Sequence, residues 1–209
     1  MIELNSIVLL SRIRGVMPTK ALAEGQRFIE LRVEDAERIS QTDRRFGRRG
    51  DMARILRRFQ HGLRYFAIEE NEGLIGWFWV AHAVPRYLDE MRWMISLDNS
   101  QAWARDAFVA PAHRGQRLIA ALMEHASTVD SGPQQFLSDV DSYNYPSLRA
   151  HEKMGFRRIA TVRSLSIGKR FLLRSRPPEG FPSPQALRPT ERVLWMDPEE
   201  CAWHRGMIA

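Results

Sequence analysis

The sequence predicts an α/β (α+β) sheet domain, and three observations carry that reading. The second half of the chain alternates segments of strand periodicity with segments of helical periodicity. An aromatic-rich strand pair brackets a short turn between Leu63 and Val84. The composition, 44% hydrophobic and 27% charged, is that of a globular chain with a real core.

The elements follow in order. Residues 1–26 give no clear element and are set apart as an N-terminal segment. From Arg27 to Val33 polar and apolar residues alternate, with Ile29, Leu31 and Val33 on one face, which predicts a strand. Glu34-Asp35 opens a charged helix to Asp43, its acidic residues at the positive end. Arg44, Arg45, Arg48 and Arg49 flank Gly47 in a loop. Asp51 is placed to cap a helix from Met52 to Gln60, in which Met52, Ile55, Leu56 and Phe59 recur at helical spacing, and Gly62 ends it.

Leu63–Glu69 and Leu74–Val84 predict a hairpin turning at Asn71-Glu72-Gly73. Pro85–Asn99 is less regular, with a strand over Met91–Leu97. Trp103–Val109 is a strand stopped by Pro111. Gly115 to Val129 is a helix with Leu118, Leu122 and Ala126 on one stripe. A strand over Phe136–Val140, a helix from Tyr145 to Met154 ended by Gly155, and a hairpin of Phe156–Val162 with Leu165–Leu172 complete the domain. Five prolines between Pro177 and Pro189 mark its end. The domain is therefore read as 27–176, with a tail over 177–209 and a short docked segment around Val193–Met196.

Several classes fall away. No apolar run approaches the roughly 20 residues of a membrane span. Met1–Gly15 lacks a small-residue cleavage site and does not read as a signal peptide. Cys201 is the single cysteine, and the histidines lack zincin spacing. A cytoplasmic, metal-free chain is expected. The formal charge is +6, from 31 Lys+Arg against 25 Asp+Glu. Only Lys20, Lys153 and Lys169 are lysines, so 28 basic residues are arginines, which offer phosphates and carboxylates a planar fork.

Ala104–Met123 is the most informative stretch: a strand, a tight basic loop holding Gly115, then an amphipathic helix. The first turn of a helix has free N–H groups and positive character, and Arg114 and Arg117 add charge, so this is a phosphate site in outline. Downstream, after its own strand, stands Asn144-Tyr-Pro-Ser-Leu-Arg-Ala-His-Glu-Lys-Met-Gly-Phe156. With Val109-Ala-Pro111, Arg114-Gly115, Leu122, Asn144, Ser147, Glu152-Lys153 and Gly155-Phe156 in register, the two segments resemble the GNAT superfamily of N-acetyltransferases over residues 27–172.

The resemblance implies a mixed central sheet with helices on both faces and two adjacent central strands splayed apart. Acetyl-CoA or another acyl-CoA would lie in the gap, its pantetheine arm along Ala107, Phe108 and Val109. Its pyrophosphate would sit on the N–H groups of Arg114, Gly115, Gln116, Arg117, Leu118 and Ile119. Asn144 would bond the pantetheine arm, with Ser147 beside it. Transfer would be direct, a deprotonated amine (or a hydroxyl) attacking the thioester while a general acid protonates the thiolate.

Two departures stand out. Arg117 and Ile119 occupy positions where the family keeps small residues. That bulk would loosen or exclude CoA, unless Arg117 serves as a cation there and tolerates its position through an ordinary helical φ. His151 replaces a tyrosine common in the family and is a candidate proton donor, with Tyr143 and Tyr145 as substitutes. Asp106, on the strand entering the loop, is the candidate base. Asp89 and Glu90 are alternatives, and an ion pair of Asp106 with Arg105 or Arg92 is the structural reading.

Arg54, Arg57 and Arg58 share a helix face opposite Ile55 and Leu56, so a solvated face is the plain reading. The functional one is a surface for a small-molecule or peptide acceptor of anionic character, or for an acidic acyl-carrier protein. Trp77, Phe78 and Trp79 alternate as core residues, with one of them a candidate pocket lining. Nucleic acid is disfavoured, since charge alone supports it. A homodimer is compatible with all of this. The alternative to an acyltransferase is a degenerate domain of the same family acting as a binding module.

Overall fold

The run Ile7-Val8-Leu9-Leu10 is buried at every position, the mark of a strand covered on both faces. It lies in β1 (Ile2–Ile13), so the N-terminal residues form a strand inside the sheet rather than a segment ahead of it. The structure, a computed structural model, describes residues 2–16, 21–91, 93–167, 170–182 and 184–186.

β2 (Gln26–Leu31) follows, and a 3-10 turn at Val33–Asp35 leads into α1 (Ala36–Arg45). Asp51 caps α2 (Met52–Gln60), its Oδ1 accepting from the N–H of Ala53 at 3.0 Å. β3 (Arg64–Glu70) and β4 (Gly73–His82) form the expected hairpin. Asn71 and Glu72 both take positive φ, 49° and 63°, so the two-residue turn matches the strands' twist. β5 (Arg86–Leu88) and β6 (Trp93–Ile95) occupy the stretch read as irregular. β7 (Gln101–Val109), α3 (Leu118–Ala126), β8 (Gln135–Asp141) and α4 (Tyr145–Lys153) come next. β9 (Arg157–Ile167) runs on past Val162, and β10 (Arg170–Arg174) pairs back onto it. β11 (Pro184–Ala186) closes the described chain.

Eight strands form the main sheet in the order β10-β9-β1-β8-β7-β4-β3-β2, and β11-β6-β5 form a small second sheet. All pairs in the main sheet are antiparallel except β7 with β8, which run parallel. One face packs against α3 and α4 through Phe66, Phe78, Phe136, Leu122 and Leu148. The other is shared. Helices α1 and α2 cover Tyr65, Trp77 and Trp79, and the small sheet covers Leu9, Trp103 and Leu137.

Part of the proline-rich segment is seated on this face: Phe181 stands edge-on to Trp103 at 6.2 Å, and β11 pairs with β6. The docked segment expected around Val193–Met196 lies outside the described residues. Buried Arg12 on β1 ion-pairs with Glu124 of α3 and donates from Nε to the Met154 carbonyl at 2.8 Å, joining strand and both helices.

Candidate active site

β7 and β8 pair only at Gln101–Gln135, Ala102–Phe136 and Trp103–Leu137; beyond Trp103 and Leu137 they part. Meanwhile β7 stays on β4 as far as Val109, with a bulge. Trp77 faces Phe108 but Trp79 faces Arg105, so β7 carries one extra residue there. Asp106 absorbs the bulge at φ 50°. A cavity of about 490 Å³ opens where the strands diverge. Toward α3 and α4 it is lined by Met123, Ser138, Ser147 and His151; toward the other face by Arg48, Arg86, Glu90 and Asp139.

Asp106 lines the cavity, but its carboxylate is held by Arg58 at 2.6 Å and Arg54 at 3.0 Å. Both of these ion pairs come from α2. A carboxylate whose Oδ2 is held by two guanidinium groups suits an anchor better than a proton acceptor. The same geometry corrects the reading of a solvated arginine face, because Arg58 is buried and Arg54 half-buried over the sheet. Arg48 completes the group, close to Asp43 at 3.4 Å and stacked over Phe108 at 5.0 Å. Burial pushes the Asp43 carboxyl up, and Arg48 works against that.

His151 meets Ser138 Oγ with Nε2 at 3.1 Å and the Ser147 carbonyl with Nδ1 at 2.8 Å. Burial pushes its pKa down, opposed by the Ser147 carbonyl and the charge of Asp139. A neutral ring whose N–H already serves Ser147 has no proton ready for a thiolate, so the donor role expected for His151 does not suit its resting state. Tyr145 stands largely exposed in the first turn of α4 and is not among the cavity's lining residues, whereas Tyr143 is. Glu90 also lines the cavity, and its carbonyl accepts from Ser164 Oγ at 2.7 Å. The side chain of Asp89 and all of Arg92 lie outside the described residues.

At the far end of β7 the chain turns into α3. Arg114 is exposed, its Nε 3.4 Å from the Val109 carbonyl. Gly115 takes φ 80°, and a Cβ there would meet nothing within 4 Å. Arg117 caps the helix in the left-handed region, φ 59° and ψ 26°, rather than with the ordinary helical φ expected for it. Gln116 is half-buried, and Leu118 and Ile119 are buried in the core. The bulk of Ile119 therefore points inward, against Gly76, instead of into the helix N-terminus. Phe108 packs on Trp77 at 4.8 Å and Val109 against the core, and neither is among the cavity's lining residues. Asn144 caps α4, its Oδ1 accepting from the Ser147 N–H at 3.2 Å. Trp77, Phe78 and Trp79 are all core and none lines the cavity.

Ser138 and Asp139 were not singled out from sequence. Two polar residues in succession within Phe136–Val140 place one on each face, which a wholly buried strand does not need. Asp139 accepts from Trp103 Nε1 at 2.7 Å and lies 3.4 Å from Arg86. Burial pushes its carboxyl up, but Arg86, Arg105 and the indole N–H outweigh that and hold it below the ordinary range.

A mixed sheet whose two parallel strands part over a polar cavity, with a helix N-terminus at the end of one of them, defines an acyltransferase-type fold. The chain belongs to the acetyltransferase (GNAT) family, whose model matches residues 27–156. Its fold is shared by a Drosophila melanogaster protein, 13% identical with a TM-score of 0.52, over 80% of this chain and 52% of that one. A functionally unknown conserved protein from Staphylococcus epidermidis is 7% identical with a TM-score of 0.54, over 78% of this chain and 62% of that one. The chain thus spans between half and two thirds of these structures. A ribosomal-protein-alanine N-acetyltransferase from Brucella melitensis is also similar, at 12% identity and a TM-score of 0.44, over 62% of this chain and 90% of that one. No curated protein sequence matches. No helix among the described residues is long and apolar enough to cross a membrane.

Proposed function

We propose that the chain transfers an acetyl or longer acyl group from acyl-CoA directly to an amine, with a hydroxyl as the alternative acceptor. The observation that carries this is the divergence of β7 from β8 beyond Trp103 and Leu137, which leaves one edge of β7 open over the cavity. The residues present fit the co-substrate. With Ile119 turned into the core and space around Gly115, the first-turn N–H groups of α3 are accessible to a diphosphate, and Arg114 and Arg117 supply charge beside them. The unpaired edge of β7 would bond the pantetheine amides. The acceptor would enter from the opposite face, between Arg48 and Glu90, where charges of both signs suit a polar molecule.

Calorimetric titration with acetyl-CoA and longer acyl-CoAs tests this, and Arg114→Ala is expected to weaken binding about tenfold, the worth of one charged hydrogen bond. Gly115→Trp should weaken it further. Absence of binding by any acyl-CoA at millimolar concentration would overturn the proposal.

A further inference from the structure

Ser138 stands at the vertex of the gap. It follows Leu137, the last residue of β8 paired with β7. Strand alternation puts it on the face of Phe136 and Val140, toward α3 and α4. There its hydroxyl lies 3.1 Å from His151 Nε2, and both residues line the cavity. The proton positions follow from the partners. The Ser147 carbonyl, 2.8 Å from Nδ1, can only accept, so Nδ1 carries the ring proton and Nε2 of a neutral ring accepts. The Ser138 O–H is thereby directed at Nε2, and its lone pairs are left for the occupant of the cavity. Phe156 packs edge-on against the imidazole at 5.0 Å and helps fix its plane. A hydroxyl, a base within hydrogen-bond reach, and a third group orienting that base form a recognisable functional unit.

We infer that Ser138 and His151 form a proton relay for acyl transfer. Ser138 Oγ takes the proton shed by the attacking nitrogen as its own proton passes to Nε2, and then returns a proton to the departing sulfur. The inference rests on the acyltransferase reading. The amine reacts as free base, its extra proton already lost to water. Its lone pair forms the bond to the thioester carbonyl carbon, the C–S bond breaks with its electron pair on sulfur, and one proton moves from nitrogen to sulfur. Nothing else is consumed. The transient imidazolium is stabilised by the Ser147 carbonyl within α4 and by Asp139 from β8, the charged group whose field reaches it. His151 is thus a proton acceptor before it is a donor. Because burial pushes its pKa down, the acceptor form persists through the neutral range.

The test uses the full chain, acetyl-CoA and hydroxylamine, a small nitrogen nucleophile that needs no dedicated acceptor pocket, and reads thiol release. Ser138→Ala should lower kcat roughly 10²- to 10⁴-fold, the usual worth of acid–base catalysis. Its calorimetric affinity for acetyl-CoA should stay within about twofold of the parent's. Ser138→Thr, which keeps the hydroxyl, should recover most of the rate. At a fixed concentration of hydroxylamine free base, the parent's acid limb should fall below pH about 6.5 and vanish in His151→Gln. A Ser138→Ala chain that binds acetyl-CoA and turns over at the parental rate would overturn the relay and leave the acyl-CoA reading standing. So would a parent that binds acetyl-CoA without releasing thiol, or an acetyl group found on Ser138 by intact mass, which would make it a nucleophile. A parent that binds no acyl-CoA overturns both.

Discussion

Replacing Arg12 by methionine probes the joint on which the sheet and its α3–α4 face depend. Arg12 is 1% exposed, and its Nη2 pairs with Glu124 while Nε donates to the Met154 carbonyl. Methionine matches the stem in length but removes every donor. Among the described residues Glu124 would keep the Gly15 N–H, at 3.1 Å, and the Met154 carbonyl would lose the Arg12 donor. Breaking a buried pair from one side costs about 3–5 kcal/mol because the remaining charge is stranded. A single domain of this size has about 5–15 kcal/mol in all, so the loss should be plain in a urea titration. The double variant Arg12→Met with Glu124→Leu tests the cause. Removing both charges avoids the stranded carboxylate, and also the unmet Arg12 Nη1, which has no partner among the described residues. The double variant should recover at least about 2 kcal/mol of the single variant's loss. A single variant within about 1 kcal/mol of the parent, or a double variant no better than the single, would refute the reasoning.

Two further predictions concern the site's surroundings. Arg117 holds φ 59°, where a side chain costs about 1 kcal/mol or more, so Arg117→Gly should be neutral to slightly stabilising and Arg117→Val should cost about 1 kcal/mol beyond the parent. Thermal midpoints in the opposite order would show that the left-handed cap is not what strains the position. For His151 the pH sign is set by burial: its folded pKa lies below the unfolded value of about 6.5, so the unfolded chain binds more protons as pH falls through that window. Stability therefore falls on acidification below pH about 6.5 and is level above it. His151→Gln should reduce that slope without abolishing it, since burial pushes His125 down too. Equal slopes in parent and variant, measured by denaturant titration at about pH 5.5 and 7.5, would count against a neutral buried His151.

What was legible in the sequence is local. The Asp51 cap, the Asn71-Glu72 turn and the end of α4 at Gly155, with φ 88°, each depend on a few adjacent residues. The paired motifs at 109–123 and 144–156 mark the fold because helix termini and strand ends carry side-chain signals. What stayed hidden depends on partners far along the chain. Ile7–Leu10 reads as an apolar run of no stated destination; only the β8 and β9 edges it pairs with reveal a central strand. Arg58 looks like a surface residue until Asp106, lifted by a bulge that no residue pattern announces, is found beneath it. Ser138 and His151 lie thirteen positions apart on different elements, and their hydrogen bond exists only once α4 has docked on β8.

The arginines show how composition and function diverge. An excess of them over lysine points toward phosphate and carboxylate ligands. Yet Arg12, Arg38, Arg54, Arg58 and Arg64 are each paired with a carboxylate of the chain itself. Forked, two-point pairing within a fold favours arginine for the same geometric reason that phosphate binding does. Arg64, for instance, meets both oxygens of Glu30, at 2.6 and 2.7 Å. Net charge therefore overstates the cationic surface offered to a ligand. The cations that matter for the proposed reaction stand at the mouths of the gap, Arg114 and Arg117 at the α3 end and, on the opposite face, Arg48, which also pairs with Asp43. Those at the core of α2 shape the cavity by holding Asp106 and the bulge of β7 in place.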